Sequence, residues 1–305
     1  MNRELRSVSF LALFAILGAP LQAVRAVNVD PGDYVALPPG TNLLVDYLQY
    51  GNDDSINIQG VGNLPAHLTS EIGIFRAVHY DTLFGVTVDP QILIPYGSLN
   101  SVRINAAPEN SSSGLGDPIL AMTFWPVNRP ATSTYLGITP YLTLPLGEYR
   151  RSDAINLGSN RYQGDLQLGF ETAFGSDGLA NRIALALYVD ANFSSANRRS
   201  EIQSPSGPAQ ATLTQSTGYQ LQSWLTYKAD GSTSVSVGFS ATAGGRQSVD
   251  GLPNGFRTEE RQIRFETQKF VTTRWQLLGE LTHDVHVTGG FRQDIGVNAR
   301  LLYVF

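Results

Sequence analysis

The stretch FRQDIGVNARLLYVF, residues 291–305, alternates apolar and polar side chains up to the last residue. The odd positions from Ile295 to Phe305 are apolar, and the even positions of the stretch include Asp294, Asn298 and Arg300. Because successive side chains of a strand point to opposite faces, this pattern gives one apolar and one polar face. The closing strand of an outer-membrane barrel needs both, since it faces lipid outside and a wet interior. The stretch therefore predicts an all-β membrane protein.

The other end of the chain predicts export. Two arginines precede the apolar run 8–17, and small residues follow it. This order is typical of a secretory signal peptide over residues 1–26, cleaved after Ala23 or Ala26. The run is shorter than the roughly 20 apolar residues that a membrane-spanning helix needs. We therefore expect an exported mature chain without a helical span.

The period of two recurs along the chain and predicts an antiparallel, up-and-down transmembrane β-barrel over residues 41–305. In one clear example, Leu166 and Leu168 alternate with Asp165 and Gln167. A mean hydropathy of -0.09 is compatible with such a barrel, because only alternate residues need to be apolar. The predicted strands cover residues 41–50, 69–80, 82–95, 116–127, 134–146, 161–174, 181–193, 212–228, 232–244, 259–270, 273–286 and 291–305.

The connections alternate between long polar loops and short turns, as in bacterial barrels with both termini in the periplasm. The predicted long loops are 51–68, 96–115, 147–160, 194–211 and 245–258. Aromatic residues near strand ends predict two interfacial girdles. The inner girdle comprises Phe124, Trp125, Tyr135, Phe174, Tyr227, Phe270, Trp275 and Tyr303, and the outer one Tyr47, Tyr50, Tyr96, Tyr162, Phe193 and Phe291.

Residues 27–40 contain Pro31-Gly32 and Pro38-Pro39-Gly40, which disfavour regular structure. Two interpretations stay open for them: a partial plug in the lumen or a free segment in the periplasm. A twelve-stranded barrel is intermediate in width between eight-stranded barrels, whose interior is filled by side chains, and the wider, open porins. We therefore expect a narrow pore.

The polar faces supply candidate lumen-lining residues, for which two roles are considered. Paired charges would brace the barrel, whereas rings of charge would select permeants. Bracing is favoured for any single position. The candidates are Asp165, Glu171, Asp190, Arg264, Glu266, Glu280, Asp284 and Arg300, with Asp294 placed on the same face.

Several ordered motifs resemble the outer-membrane transporter family of the MetA pathway of phenol degradation. They are Pro31-Gly32-Asp33-Tyr34, Leu37 to Asn42, Val88-Asp89-Pro90-Gln91, Gly114 to Pro118, Gly137-Ile138-Thr139-Pro140, Pro145 to Tyr149, Asn156 to Arg161 and Leu301 to Phe305. The resemblance implies a barrel that passes hydrophobic or aromatic compounds, and it carries over no catalytic or ligand-binding residue. From the residues alone, structural roles are expected, such as Asn160 and Arg161 tying a loop by hydrogen bonds.

Composition limits the other function classes. The formal net charge of -5 argues against nucleic acid, and the absence of cysteine excludes disulfides. Four histidines leave little scope for a metal site, and we expect no cofactor. The sequence lacks a P-loop, so transport would be passive.

Four other classes of protein share some of these features. A soluble β-sandwich would not explain the loop pattern or the terminal aromatic residue. A phospholipase site lacks the required Ser and His spacing on a strand. Asp284-Val285-His286 has the Asp-x-His spacing of outer-membrane proteases, with both side chains expected on one face, but lacks a second acidic pair. A non-transporting adhesin, receptor or structural barrel stays open.

The preferred prediction is a Gram-negative outer-membrane channel for passive entry of small solutes, aromatic or hydrophobic compounds among them. Its expected partners are outer-membrane lipid, the barrel insertion machinery and the solute.

Overall fold

The chain folds as a closed barrel of twelve antiparallel strands, which confirms the predicted fold class. The computed structural model describes residues 28–175, 181–204 and 207–305, so the predicted signal peptide lies outside the described residues. The barrel strands are β1 (Asn42–Ile58), β2 (Gly62–His79), β3 (Val86–Ile104), β4 (Ile119–Arg129), β5 (Thr134–Thr143), β6 (Gln163–Ala173), β7 (Ile183–Ser194), β8 (Gly218–Lys228), β9 (Thr233–Gly244), β10 (Glu259–Phe270), β11 (Trp275–Thr288) and β12 (Phe291–Val304).

Each strand pairs with its neighbours in the chain, and the barrel closes where β1 meets β12. Leu43 lies opposite Val304, and the backbone groups of Asn42 and Phe305 exchange hydrogen bonds of 2.9 and 3.0 Å. The last residue of the chain thus completes the ladder. Among the described residues, no helix is long and apolar enough to cross a membrane.

Alternation along the strands separates an apolar exterior from a polar interior. On β11, Leu277 and Leu281 are exposed by 47% and 55%, whereas Gln276 and Glu280, the residues directly before them, are buried. An exposed apolar belt around a buried polar centre is the reverse of a soluble protein and fits a lipid surround.

One polar group interrupts the outward face. Asp46 points outward between Leu44 and Leu48, and the Tyr96 hydroxyl donates a hydrogen bond of 3.1 Å to its carboxylate. The Tyr96 ring lies over Gly73, where a Cβ atom would overlap it. This glycine allows the aromatic ring to reach across β2 and shield the carboxylate from lipid.

The predicted strand ends were wrong in three places. Most of the predicted loops 51–68 and 96–115 is strand, because β1, β2 and β3 continue far beyond the barrel wall formed by the other strands. The predicted strand 212–228 is divided between β8 and a separate strand, Gly207–Gln215. That strand pairs with Asn197–Ser204 and Gln247–Val249 in a small sheet that also contains Leu252–Pro253.

The girdle prediction was wrong for several rings. Trp125 and Tyr135 are buried with Tyr80 in a cluster inside the barrel, and Tyr47 contacts the interior charges. Phe291 packs against interior apolar residues of the extended β1. By contrast, Trp275, Tyr303 and Phe305 form a row of rings at the seam, with centroids 4.5 and 5.6 Å apart.

Residues 28–40, here called the N-terminal segment, lie within the barrel. A turn at Pro31-Gly32, where Gly32 has φ of +93°, reverses the chain and presents successive side chains to different strands. Val29 and Tyr34 pack with Tyr188 and Trp224, while Ala36 packs in the cluster around Tyr80 and Trp125.

Candidate functional site

All eight candidate lumen-lining residues are buried, with exposed fractions from 0% to 9%. They lie on β6, β7, β10, β11 and β12. Asp294 does not join them. A bulge in β12 skips Asp294 in the register with β1, and its half-exposed side chain lies beside His283. A one-residue bulge moves a side chain to the other face, so its placement by simple alternation was wrong.

The buried charges form one network with the N-terminal segment at its centre. Arg264 donates to Glu280 over 2.5 Å, and its guanidinium lies 3.7 Å from Asp30. Arg300 donates to Asp30 and Asp33 over 2.8 and 3.0 Å. Both arginines are therefore neutralised in part by carboxylates that the N-terminal segment supplies.

A third arginine extends this network across the lumen. Arg76 on β2 donates to Asp33 over 3.0 Å and to the Tyr47 hydroxyl over 3.1 Å. Its Nε also donates to Gln91 over 2.9 Å. Charges buried away from water are stable only when such partners surround them.

The main chain of the N-terminal segment is also bound. Glu171 accepts hydrogen bonds from the backbone N–H groups of Gly32 and Tyr34 at 3.1 and 3.0 Å. The indole N–H of Trp224 donates to the carbonyl of Val29 over 3.0 Å. The Trp125 indole donates to the carbonyl of Tyr34 over 2.9 Å. The segment therefore contacts strands on several sides of the lumen.

Tyr34 fits a pit in the barrel wall. Gly137 on β5 and Gly169 on β6 are register partners, and the Tyr34 ring lies over both. A Cβ atom on Gly137 would lie 2.6 Å from the ring, and one on Gly169 would overlap it. The Tyr34 hydroxyl reaches Thr139 at 2.7 Å and Gln167 at 2.8 Å.

Filling this pit is expected to displace Tyr34. Gly169→Ala should destabilise the seated segment by about 1–3 kcal/mol, because the methyl group needs the space of the ring. The measurement is the rate of proteolysis within the N-terminal segment in detergent. Gly164→Ala, in the same strand but with open space around the glycine, is the matched control. Adding Tyr34→Ala should relieve the clash, and equal proteolysis of Gly169→Ala and wild type would contradict the pit.

The remaining candidates brace neighbouring strands. Gln167 donates to Asp190, and Gln268 donates to Glu266 over 2.6 Å. The Asp165 carboxylate lies on the inward face of β6 beside Gln167. The first contact joins β6 to β7, and Gln268 also accepts a hydrogen bond of 3.0 Å from Gln276, which joins β10 to β11.

The Asp-x-His motif does not form one site. Asp284 is buried and accepts hydrogen bonds of 2.8 Å from Gln262 and from the backbone of Gln293. A bulge at Val285 opposite β10 places His286 on the exposed face instead. The prediction of a shared face was wrong for the same reason as for Asp294. In the part of the chain that the structure describes, no His or acidic cluster could hold a metal ion.

A cavity of about 450 Å³ lies on the long-loop side of the N-terminal segment, with Asn28 in its wall. Its lining combines apolar residues such as Leu68 and Phe256 with polar groups of the strands. The loop before β6 contributes Arg161, which is 2% exposed. Burial lowers the pKa of Arg161 to about 10, so the side chain is still charged at neutral pH.

The expected hydrogen bonds of Asn160 and Arg161 are present. Asn160 donates to Asn197 over 2.9 Å, and Arg161 donates to Gln215 over 2.6 Å. Sequence reasoning missed Asp30, Asp33 and Arg76 as site residues. The acidic pair flanking Pro31-Gly32 was the available signal, but Asp is also common at turns for local reasons, so the pair did not identify partners.

The closed barrel, its apolar exterior and its charged lumen define a Gram-negative outer-membrane β-barrel of the channel type. The family model described as "Putative MetA-pathway of phenol degradation" matches residues 51–301, and the chain belongs to this family. No match was found among curated proteins.

Solved structures agree with this class. The COG4313 outer membrane channel from Pseudomonas putida F1 shares 34% identity with a TM-score of 0.80, over 91% of this chain and 100% of that chain. The β domain of the Bordetella autotransporter BrkA is 10% identical, with a TM-score of 0.51 over 88% of this chain and all of that domain. The latter likeness concerns the fold alone.

Proposed function

We propose that the protein is a channel for passive entry of small aromatic or hydrophobic solutes, and that the N-terminal segment is a plug restricting the lumen. The observation that carries this proposal is the cavity of about 450 Å³ directly against that segment. A cavity of about 150 Å³ already admits benzene, so the space suffices for a single-ring compound. We further propose that residues 1–26 direct export and that the cell's insertion machinery assembles the barrel.

The wall chemistry supports a solute with an apolar ring. Leu68 and Ile155 are buried side by side and line the cavity together with Leu99 and Phe256. Apolar walls with a few fixed polar groups are typical of small-molecule sites. The likeness to an outer-membrane channel over nearly the whole chain supports transport rather than catalysis.

The test is uptake of labelled phenol by Gram-negative cells with an intact outer membrane. Cells that produce the protein are expected to take up phenol faster than cells with the empty vector. Cells producing an unrelated twelve-stranded barrel at equal level control for membrane disturbance. Equal uptake in all three strains, together with silent planar bilayers, would contradict the channel and favour a non-transporting barrel.

A further inference from the structure

Arg161 is a buried cation whose donors are only partly used. Its Nη2 donates to Gln215 over 2.6 Å. Within residues 28–175, 181–204 and 207–305, nothing accepts a hydrogen bond from its Nε or Nη1. A guanidinium has five N–H donors, and leaving them buried without acceptors is costly. The residue lines the cavity, so a bound molecule could supply the missing acceptors.

The nearby carboxylate of Asp117 does not serve this purpose. Its Oδ1 accepts the backbone N–H of Gly147 at 2.8 Å. Its Oδ2 accepts both the N–H and the hydroxyl of Ser159 at 2.7 and 2.6 Å. Asp117 therefore holds the two loops together, and no carboxylate of the described chain lies within 4.0 Å of the Arg161 guanidinium.

The rest of the cavity limits the charge of a ligand. Asp53, Glu259 and Glu260 also line it, and Glu259 is paired with Arg257. A dianion such as phosphate would face these carboxylates. A monoanion with an apolar body suits both the single open guanidinium and the wall around Leu68 and Ile155.

We propose that Arg161 binds the carboxylate of a small aromatic acid in this cavity. The guanidinium fixes the carboxylate, and the ring contacts the apolar wall. This inference rests on the proposed channel function and narrows its substrate class from small aromatic or hydrophobic solutes to ring compounds that carry one carboxylate.

The test is equilibrium binding to the purified full-length barrel in detergent, with benzoate and the uncharged benzyl alcohol as probes. Wild type is expected to bind benzoate about tenfold or more tightly than benzyl alcohol. Arg161→Gln should lose this preference, and its affinity for benzyl alcohol should stay unchanged. Arg198→Gln, which removes an exposed arginine of the same loop region, is the matched control and should behave as wild type.

A purely structural role for Arg161 predicts different results. If Arg161 only supports Gln215, benzoate and benzyl alcohol will bind equally to wild type, which would overturn the proposal. Heat-modifiable migration on gels checks folding. If Arg161→Gln does not fold, Arg161→Lys is the second variant, because lysine keeps the positive charge but lacks the planar guanidinium. Arg161→Lys is expected to bind benzoate more weakly than wild type and to bind benzyl alcohol equally well. Unchanged benzoate affinity in a folded Arg161 variant would also overturn it.

The two proposals fail separately. If cells take up phenol but the purified protein does not prefer benzoate, the channel proposal stands and the carboxylate site is rejected. If benzoate binding depends on Arg161 but cells take up no solute, the carboxylate site stands and the channel proposal is rejected.

Discussion

Deleting residues 28–40 is expected to raise the single-channel conductance in planar bilayers several-fold. These residues lie in the lumen, and their contacts extend across it from Arg76 on β2 to Trp224 on β8. A twelve-stranded barrel is wider than the eight-stranded barrels that side chains fill, so removal of this segment leaves a water-filled path.

The same deletion is expected to change ion selectivity. It removes the carboxylates of Asp30 and Asp33, which neutralise Arg300 and, with Glu280, Arg264. The lumen is then more positive at this level, and charge at a constriction selects permeant ions. The reversal potential in a salt gradient should shift toward anions.

A synthetic peptide of residues 28–40, added on the periplasmic side, is the control. It should restore the low conductance, whereas a scrambled peptide should have no effect. Wild-type conductance in the deleted barrel would mean that the segment does not restrict the pore.

Arg300→Met is expected to release the N-terminal segment from its site. Arg300 is 4% exposed and binds Asp30, Asp33 and Gln276. Breaking a buried ion pair by removing one partner costs about 3–5 kcal/mol, because the carboxylates stay buried without their cation. Most of this cost is avoided if the segment leaves the lumen.

The chain contains no cysteine, so one introduced thiol gives a clean readout. Ala36→Cys places it in the cluster around Trp125, where Ala36 is 8% exposed. Its labelling by a water-soluble maleimide should be slow in the otherwise wild-type barrel and faster by about tenfold or more with Arg300→Met.

Arg274→Met is the matched control, because Arg274 is exposed at the turn before β11. Combining Arg300→Met with Asp30→Asn should restore part of the protection, since Asp33 keeps Arg76 as its partner and Arg264 keeps Glu280. Equally slow labelling of Ala36→Cys in Arg300→Met and wild type would contradict the anchoring role.

Much of the wall could be predicted from local pattern. The alternation around Leu277 and Glu280 requires a surface that is apolar on one side only, and the terminal Phe305 fits the seam. The bulges at Val285 and Asp294 could not be predicted this way. A bulge depends on how two paired strands share register, and it reverses the face of every later position unless a second shift compensates.

The sequence by itself determined that the chain is a membrane barrel, because lipid outside and water inside demand a period of two in each strand. Only the tertiary structure decided where the N-terminal segment lies and which charges meet. Asp30 and Arg300 are separated by 270 residues, and the Tyr34 ring is likewise far along the chain from Gly137 and Gly169 of its pit. Such contacts depend on barrel closure, which brings distant strands around one lumen and leaves no trace in local spacing.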